Sequence, residues 1–229
     1  MKILAIDTSG QSASVAVIAN NKVLAEIFTD CGLTHSQTVM PMIKEIFDRT
    51  SLAPEEIDYI ACVCGPGSFT GLRIGASTAK GLAFSLNKKI IPVPALDALA
   101  YNIISNNDTT IILPLMDARR GQAYTAFYCW EGGKFTRIRD YCCEPITEII
   151  SELRETGKNV CILGDGAAIF LDVLVSSGVS CHSAPPHLNR TKASAAGCLA
   201  LGMIDNAVDS NDFELFYIRK PQAERELGL

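Results

Sequence analysis

"CVCGPGSFTGLRIGASTAKGLAF", residues 62–84, joins an apolar run to Gly65-Pro66-Gly67, a turn through Ser68, Phe69, Thr70 and Gly71, and a helix crowded with small residues. Strand, glycine loop and helix in immediate succession are an α/β signature. Gly65 and Gly67 permit dihedrals and close approaches that a Cβ would block. The loop delivers Ser68 and Thr70 to a helix N-terminus, where free N–H groups and the macrodipole favour an anion. It is not a Walker loop, because no Lys-Ser/Thr follows the glycines, and its Gly-x-Gly-x-x-x-Gly spacing is not the dinucleotide fingerprint. Near the start, "ILAIDTSG" ends a first strand on Asp7 and follows it with Thr8 and Ser9. A carboxylate, two hydroxyls and turn N–H groups suit a phosphate or a phosphate-bound metal ion. Asp7, Thr8, Ser9, Gly65, Gly67, Ser68 and Thr70 are therefore candidate phosphate- or nucleotide-binding residues. The alternative is two tight turns that only organise the chain.

The helix after the loop is the more unusual feature. Gly71, Gly75, Ala79 and Ala83 lie four apart with Ala76 beside them, a ridge almost free of side chains. Each internal glycine costs roughly 1 kcal/mol against alanine. A helix with Gly75 and Gly81 needs a compensating close contact, either within this chain or with another protein.

The chain repeats itself. "ILAIDTSGQSASVAVIANNKVLAEIF" predicts a strand, an Asp turn and a hairpin through Asn20-Asn21. "ILPLMDARRGQAYTAFYCWEGGKFTRI" has the same plan, and a shift of 110 residues puts Asp117 on Asp7, Ala123 on Ala13 and Ala126 on Ala16. "CVCGPG" at 62–67 finds an echo in "CILGDG" at 161–166. Between these landmarks each half carries an amphipathic helix, with stripes Val39, Ile43, Ile46, Phe47 and Ile146, Ile149, Ile150, Leu153. The pattern predicts a duplicated α/β lobe, residues 1–105 and 106–229, with the boundary between Ala95 and Asp108. A last helix, capped at Thr191, or the tail from Phe213 to Leu229 is expected to pack back on the first lobe.

Composition narrows the function. The chain has 229 residues, 48% of them hydrophobic, and a formal net charge of -5. No broad basic face is expected to hold nucleic acid unaided. No stretch approaches the roughly 20 apolar residues of a membrane span, and a cytoplasmic protein is expected. Nine cysteines occur without a C-x-x-C pair. This is the usage of free thiols in a core, not of disulfides or zinc.

"ILAIDTS", "THSQTVMPMI", "GPGSFTGLRIG" with "AKGLA", and "YIRKPQAE" together resemble the TsaB (YeaZ) family across essentially the whole chain. The resemblance implies two ribonuclease-H-like lobes of the actin-like, sugar-kinase and Hsp70 ATPase superfold. It implies a noncatalytic scaffold in the formation of threonylcarbamoyladenosine on tRNA. The expected partners are a metal-bearing, TsaD-like paralogue and a TsaE-like ATPase, with tRNA reached only through the complex and homodimers formed when the chain is alone. Where the catalytic sister carries a His-x-x-x-His metal pair, this chain has Ala95 and Leu99, which have no donor atoms. His35, His182 and His187 are the only histidines. No metal site, no cofactor and no catalytic residue are expected. The helices at about 36–50 and 70–86 are expected to dock the sister through Val39, Ile43, Gly71, Leu72, Gly75, Ala76 and Ala79. The rival readings are a small ATPase or kinase using Asp7 and the Gly65–Gly71 loop, and, more weakly, a protease.

Overall fold

In the computed structural model, residues 1–105 and 109–219 are described. The chain divides into two compact units, Met1–Ala98 with Thr191–Tyr217, and Leu99–Arg190 with Ile218 and Arg219. The sequence-predicted boundary from Ala95 to Asp108 and the tail to Leu229 fall partly outside the described residues.

The first unit runs β1 (Lys2–Asp7), β2 (Ala13–Ala19), β3 (Lys22–Thr29), α1 (His35–Thr50), β4 (Tyr59–Gly65), α2 (Phe69–Leu86) and β5 (Lys89–Pro94), followed by α3 (Ala95–Ala100). The second runs β6 (Ile111–Asp117), β7 (Gln122–Glu131), β8 (Lys134–Pro145), α4 (Ile146–Thr156), β9 (Val160–Leu163), α5 (Asp165–Ser176) and β10 (Cys181–Ser183). Then α6 (Ala193–Ala200) returns to the first unit. The sheets have orders β3-β2-β1-β4-β5 and β8-β7-β6-β9-β10. In each, the first three strands are antiparallel and the last two join in parallel. The repeat seen in the sequence is thus a repeat of topology, and each copy is ribonuclease-H-like.

β1 lies at the centre of its sheet, which is why "ILAID" is buried without alternation. Leu4 and Ile6 face one side, where α1 contributes Val39, Met42, Ile43, Ile46 and Phe47. Ile3 and Ala5 face the other, by strand alternation. There α6 packs on β1 and β2. It approaches closely because position 197 is glycine: a Cβ there would strike the Ile18 side chain. In the second unit, Ile146, Ile149, Ile150 and Leu153 of α4 close the core, as their spacing predicts. The Asn20-Asn21 hairpin also forms, both residues being left-handed at φ 49° and 64°.

Two expectations are corrected. The N-cap of α6 is Lys192, without a side-chain hydrogen bond. Thr191 is instead buried, one residue too early to cap, and turns its hydroxyl toward Asp7 and Gly10. The second correction concerns the ridge. Val39, Ile43, Gly71, Leu72, Gly75, Ala76 and Ala79 are all buried in the first unit. They pack within the first unit, so the ridge is an internal contact and not an open docking surface, although Val39 and Ile43 also border hollows on the outward side. Gly75 sits against the Thr8 hydroxyl with Cys62 behind it. Small residues let α2 settle on β1 and β4, which repays their poor helix propensity.

Gly81 is different, since nothing lies within 4 Å of where its Cβ would be. In urea denaturation of the isolated chain, Gly81→Ala is expected to raise stability by up to about 1 kcal/mol. Gly197→Ala is expected to lower it by about 1–3 kcal/mol through overpacking against Ile18.

Candidate functional site

The Asp7 turn and the Gly65–Gly71 loop come together as the sequence suggests, but they are packed into each other. Asp7, 1% exposed, accepts the Ser9 N–H at 2.8 Å and the Ser9 hydroxyl at 2.7 Å on Oδ1. Its Oδ2 is buried and accepts no hydrogen bond. The Thr191 hydroxyl is near enough to favour the carboxylate without closing a bond of good geometry to Oδ2. Burial raises the Asp7 pKa above the usual carboxylate range, against the opposing pull of Thr191, Ser9 and the His35 ring. The His35 Nε2–H donates to the Gly10 carbonyl at 2.9 Å, and its buried Nδ1 has no partner.

Several of the loop's polar groups are taken up locally. The Ser68 N–H donates to the Ser9 carbonyl at 2.7 Å, and the Thr8 hydroxyl to the Gly71 carbonyl at 2.8 Å. Ser68 Oγ caps α2 by accepting the Gly71 N–H at 3.2 Å. A Cβ at Gly67 would strike the Ser9 carbonyl, at Gly71 the Thr8 carbonyl, and at Gly65 the Phe216 carbonyl. The glycines therefore serve close approach of this chain's own backbone. Thr70 is exposed and stands outside the arrangement. The N–H groups of Ser68 and Gly71, which an anion would need, are already engaged. Phe216 N–H completes the closure by donating to the Cys64 carbonyl at 2.8 Å.

The His35 ring bonds a backbone carbonyl and not a hydroxyl or thiol. Ser9 is fully buried and donates to Asp7 with no imidazole between them. Burial pushes the Cys62 thiol well up and Cys64 up to about 12, so both stay protonated at neutral pH. All nine cysteines are free. Among the described residues no three His, Cys, Asp or Glu side chains cluster as metal ligands, and Ala95 and Leu99 are buried apolar residues of α3. No helix among the described residues is long and apolar enough to cross a membrane.

The outward side of α1 and α2 carries what the sequence reading missed. Phe69, Arg73, Ser77 and Phe84 follow one stripe of α2 at helical spacing. Phe84 is 80% exposed, Phe69 41%, and Met40 on α1 48%. The Arg73 guanidinium lies 3.8 Å over the Phe69 ring, and the Tyr217 ring packs tilted against Phe69 with centroids 5.9 Å apart. A hollow of about 500 Å³ between the helices is lined by Val39, Met40, Phe69, Arg73 and Ile74. A second, about 590 Å³, lies beside Met40, Phe47, Leu52 and Leu82. A helix spacing test on the exposed positions would have found this stripe.

Two ribonuclease-H-like units in one chain define a member of the actin-like superfold. A family model described as TsaD, tRNA N6-adenosine threonylcarbamoyltransferase, matches residues 29–208. The tRNA threonylcarbamoyladenosine biosynthesis protein TsaB of Bacillus subtilis (strain 168) is 32% identical over 228 residues, 98% of this chain and 96% of that protein. TsaB of Escherichia coli (strain K12) is 38% identical over 128 residues, 56% of this chain and 55% of its own length. YeaZ from Pseudomonas aeruginosa shares the fold with a TM-score of 0.77 at 22% identity, covering 94% of this chain and 99% of that one. This chain belongs to the TsaB (YeaZ) family.

Two substitutions probe the buried turn. Because burial raises the Asp7 pKa, its contribution is most favourable below the unfolded carboxylate range and is lost as pH rises through the folded value. Asp7→Asn is therefore expected to raise the urea midpoint at pH 7 and to lose that advantage at pH 4. Gly75→Leu is expected to destabilise or unfold the isolated chain, by about 3 kcal/mol or more, since its side chain would displace Thr8 from Gly71. Circular dichroism across a urea series reads both.

Proposed function

We propose that this chain is the noncatalytic docking subunit of the machinery that forms threonylcarbamoyladenosine on tRNA. It would hold a metal-bearing, TsaD-type paralogue against the outward stripe of α1 and α2. Membership in the TsaB family supports the pathway, and the name of the relatives supplies it. The exposed stripe carries the docking role: Met40, Phe69 and Phe84 stand out as large apolar side chains beside two hollows, on helices whose inner faces are already satisfied. Exposed apolar groups grouped in this way favour a partner surface.

The proposed occupant is a paralogue of the same fold, because such a protein can present its own pair of equivalent helices and form a small bundle. A second copy of this chain would meet the same requirement when the paralogue is absent, giving a homodimer through one patch on both subunits. A TsaE-type ATPase would join the assembled pair in the cytoplasm, and tRNA would be held by the assembly. The rival ATPase or kinase reading has less support, since the Ser68 and Gly71 N–H groups of the glycine loop are bonded within the chain.

Met40→Asp combined with Phe84→Ser tests the docking face. Both side chains are exposed, so the urea midpoint of the isolated chain is expected to hold. Calorimetry should show affinity for the paralogue with His-x-x-x-His falling at least about 100-fold, as expected for loss of central apolar contacts. Unchanged affinity would remove α1 and α2 from the interface. Magnesium-dependent nucleotide turnover by the lone chain, abolished by Asp7→Asn, would favour the rival instead.

A further inference from the structure

Three hairpin turns in this chain use left-handed backbone, but they do not use the same kind of residue. β2 and β3 turn through Asn20 and Asn21, and β7 and β8 through Gly132 and Gly133 at φ 57° and 78°. Asparagine and glycine are the residues such turns favour. β6 and β7 instead turn through Arg119, Arg120 and Gly121 at φ 67°, 55° and 73°. The hairpin is well formed, with Ala118 N–H donating to Gln122 O at 3.0 Å and Gln122 N–H to Arg119 O at 3.1 Å. Arginine has neither glycine's freedom nor asparagine's short local hydrogen bond, so two arginines here run against local preference. Residues held against their preference are a mark of function.

The side chains point to what that function is. Arg119 is 84% exposed, and among the described residues its guanidinium meets only Asp117, at 3.4 Å. The arginine end of that pair stands in solvent, and at 3.4 Å it holds the guanidinium only loosely. Arg120 is exposed and has no hydrogen bond or ion pair among the described residues. A third guanidinium, Arg219, reaches the same turn, donating to Gln122 Oε1 at 2.6 Å and to the Ala118 carbonyl at 3.4 Å. The N-terminus of α4 backs it, with Ile146 N–H on the Gly121 carbonyl at 3.0 Å. The nearby carboxylates include Asp117, already on Arg119, Asp165, which accepts the Asp117 N–H at 3.1 Å, Glu144 opposite Ala123 and already on Arg139, and Glu148 in the first turn of α4. In a chain of net charge -5, this hydrogen-bonded turn gathers three arginines and turns two of them, Arg119 and Arg120, to solvent, while Asp117 beneath them is partly buried.

We propose that the β6–β7 turn is an RNA contact, in which Arg119 and Arg120, braced by Arg219, grip backbone phosphates of the tRNA held by the complex. Arginine forks match phosphate oxygens in two-point hydrogen bonds, and a rigid turn loses little freedom on binding. The identity of the RNA rests on the function proposed above; the cationic turn does not.

The test uses the assembled complex with the paralogue, and labelled, unmodified tRNA followed by fluorescence anisotropy across a salt series. The variant is Arg119→Asn with Arg120→Asn, because asparagine already occupies this conformation at Asn20 and Asn21. The hairpin should therefore fold at least as well, and the melting temperature of the variant chain should not fall. The expected result is an intact complex whose tRNA affinity drops at least about tenfold near 0.1 M salt. The slope of log K against log salt should become shallower by about 1.4–1.8, the release from two phosphate contacts. Equal affinity and equal slope in wild type and variant would overturn the proposal. Gel filtration of the two proteins reads the docking proposal separately. If no complex forms, docking fails, and the same titration is made on the lone chain, where equal behaviour of wild type and variant again overturns the RNA contact.

Discussion

The first unit depends on one close approach: the backbone of Thr8 and Ser9 fills the space left by the missing Cβ atoms of Gly67 and Gly71. With that space filled, Thr8 can bond the Gly71 carbonyl and Ser9 can receive the Ser68 N–H. Those bonds fix where α2 begins and how near it lies to β1 and β4. Its inner face can then consist of Gly75, Ala76, Ala79 and Ala83, because the sheet is already close. The same rigid placement turns Phe69, Arg73 and Phe84 to the outside. The glycine loop is in this way a joint within the chain, and the surface it displays is a consequence of the joint.

That joint explains which parts of the structure were legible in the sequence. The duplicated plan, the stripes of α1 and α4 and the Asn20-Asn21 hairpin are local patterns, and local spacing encodes them. The fate of the glycine ridge is a different kind of fact. Small residues at intervals of four say that something comes close, and they say it equally for a partner helix and for β1. The answer lies 63 residues away, in Thr8 bonding Gly71, and no window around Gly75 contains it. Thr191 shows the same limit. Its position before a helix reads as a cap, and only the return of α6 to the first unit shows the hydroxyl turned to Asp7. The exposed stripe was legible in principle, since Phe69, Arg73, Ser77 and Phe84 share a face. It was overshadowed by the glycines between them.

The second copy uses the same device with different results. A Cβ at Gly164 or Gly166 would run into the Leu115 carbonyl, as one at Gly67 would run into that of Ser9. The Gly164 N–H is engaged by Asn189 Oδ1. So both strand-to-helix turns are seated by glycine against a neighbouring strand end, which accounts for the shared Gly-x-Gly echo in the sequence without any ligand. What differs is the turn that follows the Asp. In the first copy Asp7, Thr8 and Ser9 are buried beneath a loop and turn no charge to solvent. In the second, Asp117 is only partly buried and leads into two exposed arginines. Duplication kept the fold because sheet order and helix seating are set by apolar spacing and glycine. It left the polar turn free to diverge, since nothing in the packing requires a particular charge there. One turn is interior structure, and the other carries two exposed arginines at the end of its sheet.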